Sequence, residues 1–337
     1  MKTIALIETP RHVSARYRIA AFAPALENAG CSVTFAAIPR GALSRTLLFS
    51  RLRAFDSVLL QRRLLPNYQL KYLRLFARRL IFDFDDAVFC HDSYDPRGIV
   101  SAQRDRQFRL IMSTADAVIA GNSFLKDQAI AGGANESVVH VVPTCVDPRR
   151  YPLANHRSKE FLDVVWVGSS STLQGLERSR DLFEKLAVRF PKLRLRLISD
   201  RFPNFVRPPL VSIPWSEANE AAEIASGDIG ISWVPDDLWS KGKCGLKVLQ
   251  YYAAGLPAIA NSIGVHPEMI QPGITGLLAD TDEQWLDAID ALSEPEVRRI
   301  MGRGARDLVE NRYSVAANQD RFVKIVTGPV FNARRVT

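Results

Sequence analysis

Short apolar runs rich in β-branched residues alternate with longer helical patterns along almost the whole chain, and this alternation narrows the fold more than any other feature. "TIALIE", "CSVTFAAI", "DSVLLQ", "RLIFDFDD", "DAVIAGN" and "VVHVVPT" read as strands, with stretches such as "SARYRIAAFAPALENAG" reading as helices between them. Strand, helix, strand repeated in this way predicts a parallel sheet with helices on both faces, because parallel neighbours need a crossover connection. Residues Asp147–Glu160, "DPRRYPLANHRSKE", then interrupt the series with two prolines, many charges and little apolar content, as an interdomain linker does.

A second series follows: "LDVVWVGSSS", a helix over Gly175–Arg189, "LRLRLISD", "LVSIPW", a helix over Glu217–Ala225, "IGISWVP", a helix after Gly245, "LPAIAN" and "TGLLAD". The pattern therefore predicts two α/β units of similar size. Ligands of such sheets bind at the carboxyl ends of strands, and in a two-domain chain in a central cleft. The boundaries fall at 1–150 and 161–315, with a helical segment 316–337 expected to pack back toward the first domain.

Composition bounds the rest. The 337 residues, 47% hydrophobic and 24% charged, are ordinary for a soluble globular chain. Cys31, Cys90, Cys145 and Cys244 lie far apart with no CxxC, so neither a zinc site nor a disulfide framework is expected, and a reducing cytoplasm fits best. "MKTIALIETPRH" reads as a first strand and not as a signal peptide, and no apolar run reaches the about 20 residues that span a bilayer.

The net charge of +8 is unevenly spread: ten cations from Arg40 to Arg79 face one acid, Asp56. Interleaved with "LLF" and "YLRLF", they make basic amphipathic segments suited to an anionic membrane, at the inner face of the plasma membrane. A solvated basic helix face gives the same pattern, and no nucleic-acid module surrounds the run.

Two places look built for an anion. In "VVWVGSSST" a buried strand ends at Gly168, and Ser169 and Ser170 lead into a helix whose N-terminal N–H groups suit a phosphate; an ordinary serine cap reads the same way. In "SKGKCGLKVLQYYAAGLP" three lysines crowd the start of an apolar helix that stops at Gly255 and Pro257. It is not a Walker loop, since Asp237 stands in place of the first Gly and Cys244 in place of Ser or Thr. At about 3.6 residues per turn, Lys243, Lys247 and Gln250 would share one side near the helix start.

"VWVGSSST", "IPW", "GISWVPDDLWSKGKCGLKVLQYYAAGLPAIANSIGVHPEMIQPGITGLLAD" and "RYSV" together resemble the donor-binding half of GT-B glycosyltransferases of family four, the group 1 glycosyl transferases. "ARYRIAAFAPALENAG", "LIFDFDDAVF", "ADAVIAGNSFL" and "VVPTCVD" extend the resemblance over the first half. It implies a GT-B fold and a nucleotide-diphosphate sugar as donor substrate, with no cofactor and no metal. The diphosphate would lie against Gly168, Ser169, Ser170, Lys243, Cys244, Gly245, Leu246 and Lys247, and a ribose hydroxyl on Gln250.

The chain departs from that family where two Glu residues usually stand with seven residues between them; it has Gly242 and Gln250 there. It also has Ser169 and Gln174 where Arg and Lys are common, so Lys243 and Lys247 are expected to replace those cations. His266, in the "GVHPE" loop, is a candidate to approach the sugar, while Trp215, Trp233 and Trp239 read first as core or loop anchors, Trp215 being the one with the alternative of bordering the base.

"LIFDFDDAVF" ends a very apolar strand in Asp83, Asp85 and Asp86. A phosphatase of the haloacid dehalogenase type, a metal-holding DxD and a helix cap all use such a pattern. The remaining reading makes Asp85 and Asp86 the candidate catalytic residues, orienting an acceptor hydroxyl or stabilising developing positive charge. Arg16 and Arg18, after the first strand, are candidates to meet an acceptor phosphate.

The expected function is sugar transfer, with retention, to a lipid-linked, polysaccharide or other glycan acceptor. A sugar-nucleotide epimerase, or a sugar-nucleotide-binding protein without activity, is the alternative.

Overall fold

The computed structural model describes every residue except 10, 11, 205 and 330–337; the end of the expected 316–337 segment thus lies outside the described residues. Among the described residues twelve strands form two parallel sheets of six. The first contains β1 (Lys2–Ile7), β2 (Ser32–Ala37), β3 (Ser57–Gln61), β4 (Leu80–Phe84), β5 (Ala117–Ala120) and β6 (Val139–Val141) in the order β2-β1-β3-β4-β5-β6. The second contains β7 (Leu162–Val167), β8 (Leu193–Ser199), β9 (Leu210–Pro214), β10 (Ile229–Ser232), β11 (Ala258–Ala260) and β12 (Gly276–Leu278) in the order β12-β11-β10-β7-β8-β9. Each strand coincides with an apolar run of the sequence, and the fold is the α/β doubled sheet that the alternation predicts.

Every residue of β3 and β4 is buried, which is what strands covered on both faces require. Phe49, Leu60, Phe82 and Phe108 pack in the first core, and Trp166, Leu176, Phe183, Leu197 and Trp285 in the second.

The chain divides into two compact units that do not follow sequence order strictly. One comprises Met1–Cys145, Asp237–Cys244 and the described residues from Asn318; the other comprises Val146–Asp236 and Gly245–Ala317. In the first unit Phe322, on the helix Val315–Thr327, stacks on Phe22 with ring centres 4.4 Å apart, and Arg79 donates to the Val326 carbonyl at 2.7 Å.

Strand order places one switch point in each sheet. The chain moves outward from β1 to β2 and then returns to the other side of β1 with β3; in the second sheet β7 leads outward to β8 and β9 before β10 pairs on its other side. Loops after the flanking strands diverge at such a point and leave a crevice outside the carboxyl ends. Glu8 and Arg62 follow β1 and β3, and Gly168 and Trp233 follow β7 and β10. The single helix expected over Gly175–Arg189 is two, Ser170–Arg178 and Arg180–Arg189, broken where the Ser179 hydroxyl bonds back to the Gly175 carbonyl at 3.1 Å. Among the described residues no helix is long and apolar enough to cross a membrane.

Candidate active site

In the first unit the three aspartates of "DFDD" part company. Asp83, inside β4, is fully buried; Arg18 donates to it through Nη2 at 2.6 Å, Gln61 assists at 3.4 Å, and Arg18 also donates to the Val142 carbonyl at 2.6 Å. Arg18 is 1% exposed, so the expectation that it meets an acceptor is corrected: a guanidinium taken from water needs internal acceptors, and Asp83 and Val142 supply them. Arg16 is half-buried, donating to the Tyr17 hydroxyl at 2.6 Å and lying 4.5 Å over its ring.

Asp85 and Asp86 lie just past β4 and meet Arg62, one of the ten cations of the basic run. Arg62 Nη2 is 2.6 Å from Asp86 Oδ2 and Nη1 is 3.4 Å from Asp85 Oδ1; Nη1 also donates to the Ser14 hydroxyl. Burial pushes the Asp86 carboxyl up from its ordinary range, against the downward pull of Arg62 and Lys243. The placement of Arg62 after the strand beside β4 was the signal for it, since neighbouring parallel strands bring their following residues to one edge.

The lysine-rich stretch is split at the Cys244–Gly245 bond. Lys243 and Cys244 belong to the first unit, where Asn122 donates to the Gly242 carbonyl at 3.3 Å and the Lys243 carbonyl at 3.0 Å. A Cβ on Gly242 would come within 2.5 Å of the Ala87 nitrogen, and one on Gly121 within 2.3 Å of Cys244 Sγ, so both glycines permit close packing here. The Cys244 thiol points into this core, and burial raises its pKa well above the usual thiol range. Lys243 Nζ lies 5.5 Å over the Trp239 ring. Lys243 and Lys247 therefore do not share a helix: Gly245, at φ +63°, turns the chain, and the helix runs only over Leu246–Ala253.

In the second unit Lys247 Nζ lies 4.8 Å from the centre of the Trp166 ring and 3.0 Å from where a Gly168 Cβ would be, so these two predicted residues do meet. The turn between Gly168 and the helix holds a carboxylate of the chain itself: Asp200, after β8, accepts from the Ser170 nitrogen at 2.6 Å and its hydroxyl at 2.9 Å. Ser169 shares its hydroxyl with Ser171 at 2.8 Å. The expectation of an open helix start at Ser170 is corrected accordingly.

Gln250, on the helix Leu246–Ala253, is 3% exposed; its amide donates to the buried Glu220 and lies 3.4 Å from the Tyr151 hydroxyl. A carboxylate thus stands next to the position where the motif lacks one, contributed by a helix thirty residues away. His266 is also internal. Its Nδ1–H donates to the Asn261 carbonyl at 2.8 Å, leaving Nε2 to accept from the Ser232 hydroxyl at 3.0 Å, and burial lowers its pKa to about 4. Trp215 is 40% exposed at the end of β9.

The basic run is no uniform face, because β3 passes through it. Arg45 donates to the Pro39 carbonyl and Gln69, Arg53 lies over Phe76, Arg74 pairs with Asp116 at 2.7 Å, and Arg79 is buried. Leu43, Leu47, Tyr68 and Leu75 are exposed on the helices Ala42–Ser50 and Asn67–Phe76.

Residues 221–294 match the family of glycosyl transferases group 1. Among curated proteins, a D-inositol 3-phosphate glycosyltransferase of Saccharomonospora viridis is 34% identical over 165 residues, 48% of this chain and 34% of that protein. The chain spans about a third or less of the length of the curated relatives it matches. Among solved structures, Anabaena Alr3699/HepE in complex with UDP and glucose has a TM-score of 0.68 at 16% identity, covering 98% of this chain and 100% of that one. Sucrose-phosphate synthase from Thermosynechococcus elongatus has a TM-score of 0.75 at 16% identity, covering 96% and 98%. The fold is thus GT-B, and the stretch bearing Lys243, Lys247 and Gln250 is the one that matches the group 1 glycosyl transferases.

Proposed function

We propose that the chain is a glycosyltransferase that moves a sugar from a nucleotide-diphosphate sugar, a UDP-sugar first among them, to a glycan or lipid-linked acceptor with retention of configuration. The observation that carries this reading is that the group 1 match covers Lys243, Lys247 and Gln250. The structure of Alr3699/HepE with UDP and glucose supports the choice of base.

As the glycosidic bond to the diphosphate breaks, negative charge grows on the leaving group, and cations held in place stabilise it most. Lys247, resting on Trp166 beside Gly168, is such a cation, with Lys243 and the N–H groups after Gly245 as further contributors. They take the part that a divalent metal plays in metal-dependent transferases. The diphosphate is assigned to Lys247 and Gly168 more than to the helix start, where Asp200 already holds Ser170. Asp85 and Asp86 meet the acceptor hydroxyls, and Arg16 an acceptor phosphate.

Calorimetric titration with UDP-, GDP- and dTDP-sugars tests the donor side. UDP is expected to bind, and Lys247→Ala to weaken it about tenfold or more; unchanged affinity in both Lys247→Ala and Lys243→Ala sinks the assignment.

The exposed Leu43, Leu47, Tyr68 and Leu75, flanked by Arg40, Arg51 and Lys71, support contact with an anionic membrane such as the inner face of the plasma membrane. Flotation with anionic vesicles should exceed that with zwitterionic ones and fall in Leu43→Asp/Leu75→Asp. Equal flotation rejects it.

A further inference from the structure

Arg62 is the one non-glycine residue with positive φ among the described residues, at +56°. An arginine takes this left-handed conformation only where its surroundings over-determine it, and such residues collect at functional sites. Its own N–H donates to the Asp83 carbonyl at 2.8 Å, extending the β3–β4 ladder by one rung. The left-handed turn follows at once, and the guanidinium meets both carboxylates beyond β4, with the Ser14 hydroxyl as a third acceptor. Asp85 Oδ1 is buried and accepts no hydrogen bond, a group with its desolvation cost met only by charge.

We propose that Arg62 is a positioning residue that holds Asp86 as a carboxylate and aligns it with Asp85, so that the pair accepts hydrogen bonds from the hydroxyls of a polyhydroxylated acceptor and does not serve as a general base. The proposal rests on the transferase reading for the identity of the acceptor. A general base works best with a pKa near the working pH, whereas a carboxylate on a guanidinium is a strong acceptor and a poor base. Burial drives Asp86 toward its protonated form, and Arg62 is the largest of the influences opposing it.

The groups around the pair come from several elements. Asp85 adjoins Asp86, His12 lies in the turn after β1, and Lys243 and Cys244 come from the 237–244 segment; Glu8 faces Arg62 and Cys90 lies on the far side of Asp86 in sequence. Of these, Lys243 is the second cation, so its removal should act in the same direction and more weakly.

The test combines Arg62→Gly, whose backbone adopts φ +56° freely and so removes the side chain while sparing the turn, with Arg62→Lys and Lys243→Gln. Carbon-13 NMR of aspartate carboxyls in the full chain reads the ionisation with no dependence on activity. In Arg62→Gly the Asp86 midpoint should rise by about one pH unit or more, in Lys243→Gln by less, and Arg62→Lys should restore most of it. Addition of methylguanidinium to Arg62→Gly should reverse the rise. If the Asp86 midpoint is the same in wild type and in a folded Arg62→Gly, the proposal is overturned, whether or not the chain transfers sugar. Where transfer is measurable, Arg62→Gly should raise the acceptor KM at least about tenfold and give kcat/KM a new acidic limb, with donor KM unchanged. A loss of donor affinity instead would mark Arg62 as structural and overturn the alignment role.

Discussion

The carboxyl ends of the two sheets are tied down by different chemistry. In the first unit, charges do it: Arg18 with Asp83 and Arg62 with Asp85 and Asp86. In the second unit the ends of β7, β10 and β11 are joined by neutral bonds. The Tyr251 hydroxyl accepts from the Val167 nitrogen at 3.2 Å and donates to the Ile231 carbonyl at 3.0 Å, while His266 links Ser232 to Asn261. One fold therefore satisfies its strand-end polar groups in two ways. The charged way places carboxylates at a crevice edge, and the neutral way leaves Lys247 on an indole face as the cation beside Gly168.

The largest effect is expected at Arg18. Removing one partner of a buried ion pair leaves the other charge uncompensated, so Arg18→Met should cost the first unit about 3–5 kcal/mol, read from chemical denaturation. A cost below about 1 kcal/mol would mean that Asp83 is held by something other than charge.

Acid should act on the second unit through His266. Its folded pKa, about 4, lies below the ordinary 6.5, so the unfolded chain binds the proton first; stability is fully present above about pH 6.5 and lost as pH falls toward 4. The limiting loss is about 3 kcal/mol. His266→Asn should flatten that part of the stability–pH curve relative to wild type, and an identical slope would show that His266 is not the group responsible.

Gln250→Glu probes the buried amide of the second unit. It returns the residue type usual in the family, yet it would set a second carboxylate against Glu220 in a buried place. A loss of about 1–3 kcal/mol is expected, largely recovered in Gln250→Glu/Glu220→Gln. Additive effects of the two changes would deny their coupling.

Lys247→Ala gives the smallest stability effect, under about 1 kcal/mol, because a half-buried lysine on an indole contributes little to folding. On the proposed donor role its effect falls on UDP affinity, and a large drop in melting temperature without a change in affinity would reverse that division.

Much of the architecture was legible in the chain. Strands declare themselves through apolar runs and helices through their stops, so both sheets and the crossover connections follow from patterns within a few residues. The site was legible in part. Gly168 and Lys247 come together, while Gln250 turns to Glu220, Ser170 to Asp200 and Arg18 to Asp83. Arg62 was hidden in a run of cations because nothing local separates it from Arg63.

Local patterns in the chain specify two doubly wound α/β halves, a resemblance to group 1 glycosyl transferases, and a set of carboxylates, lysines and serines at strand ends. Only the tertiary structure decided which charge meets which, that the lysine stretch divides at Cys244–Gly245, and that Arg62 adopts a left-handed turn to reach Asp85 and Asp86. The reason is range. Periodicity is written in neighbouring residues, whereas an ion pair is chosen by strand order, which brings together residues 62 and 86 or 220 and 250 across chain separations that no local pattern records.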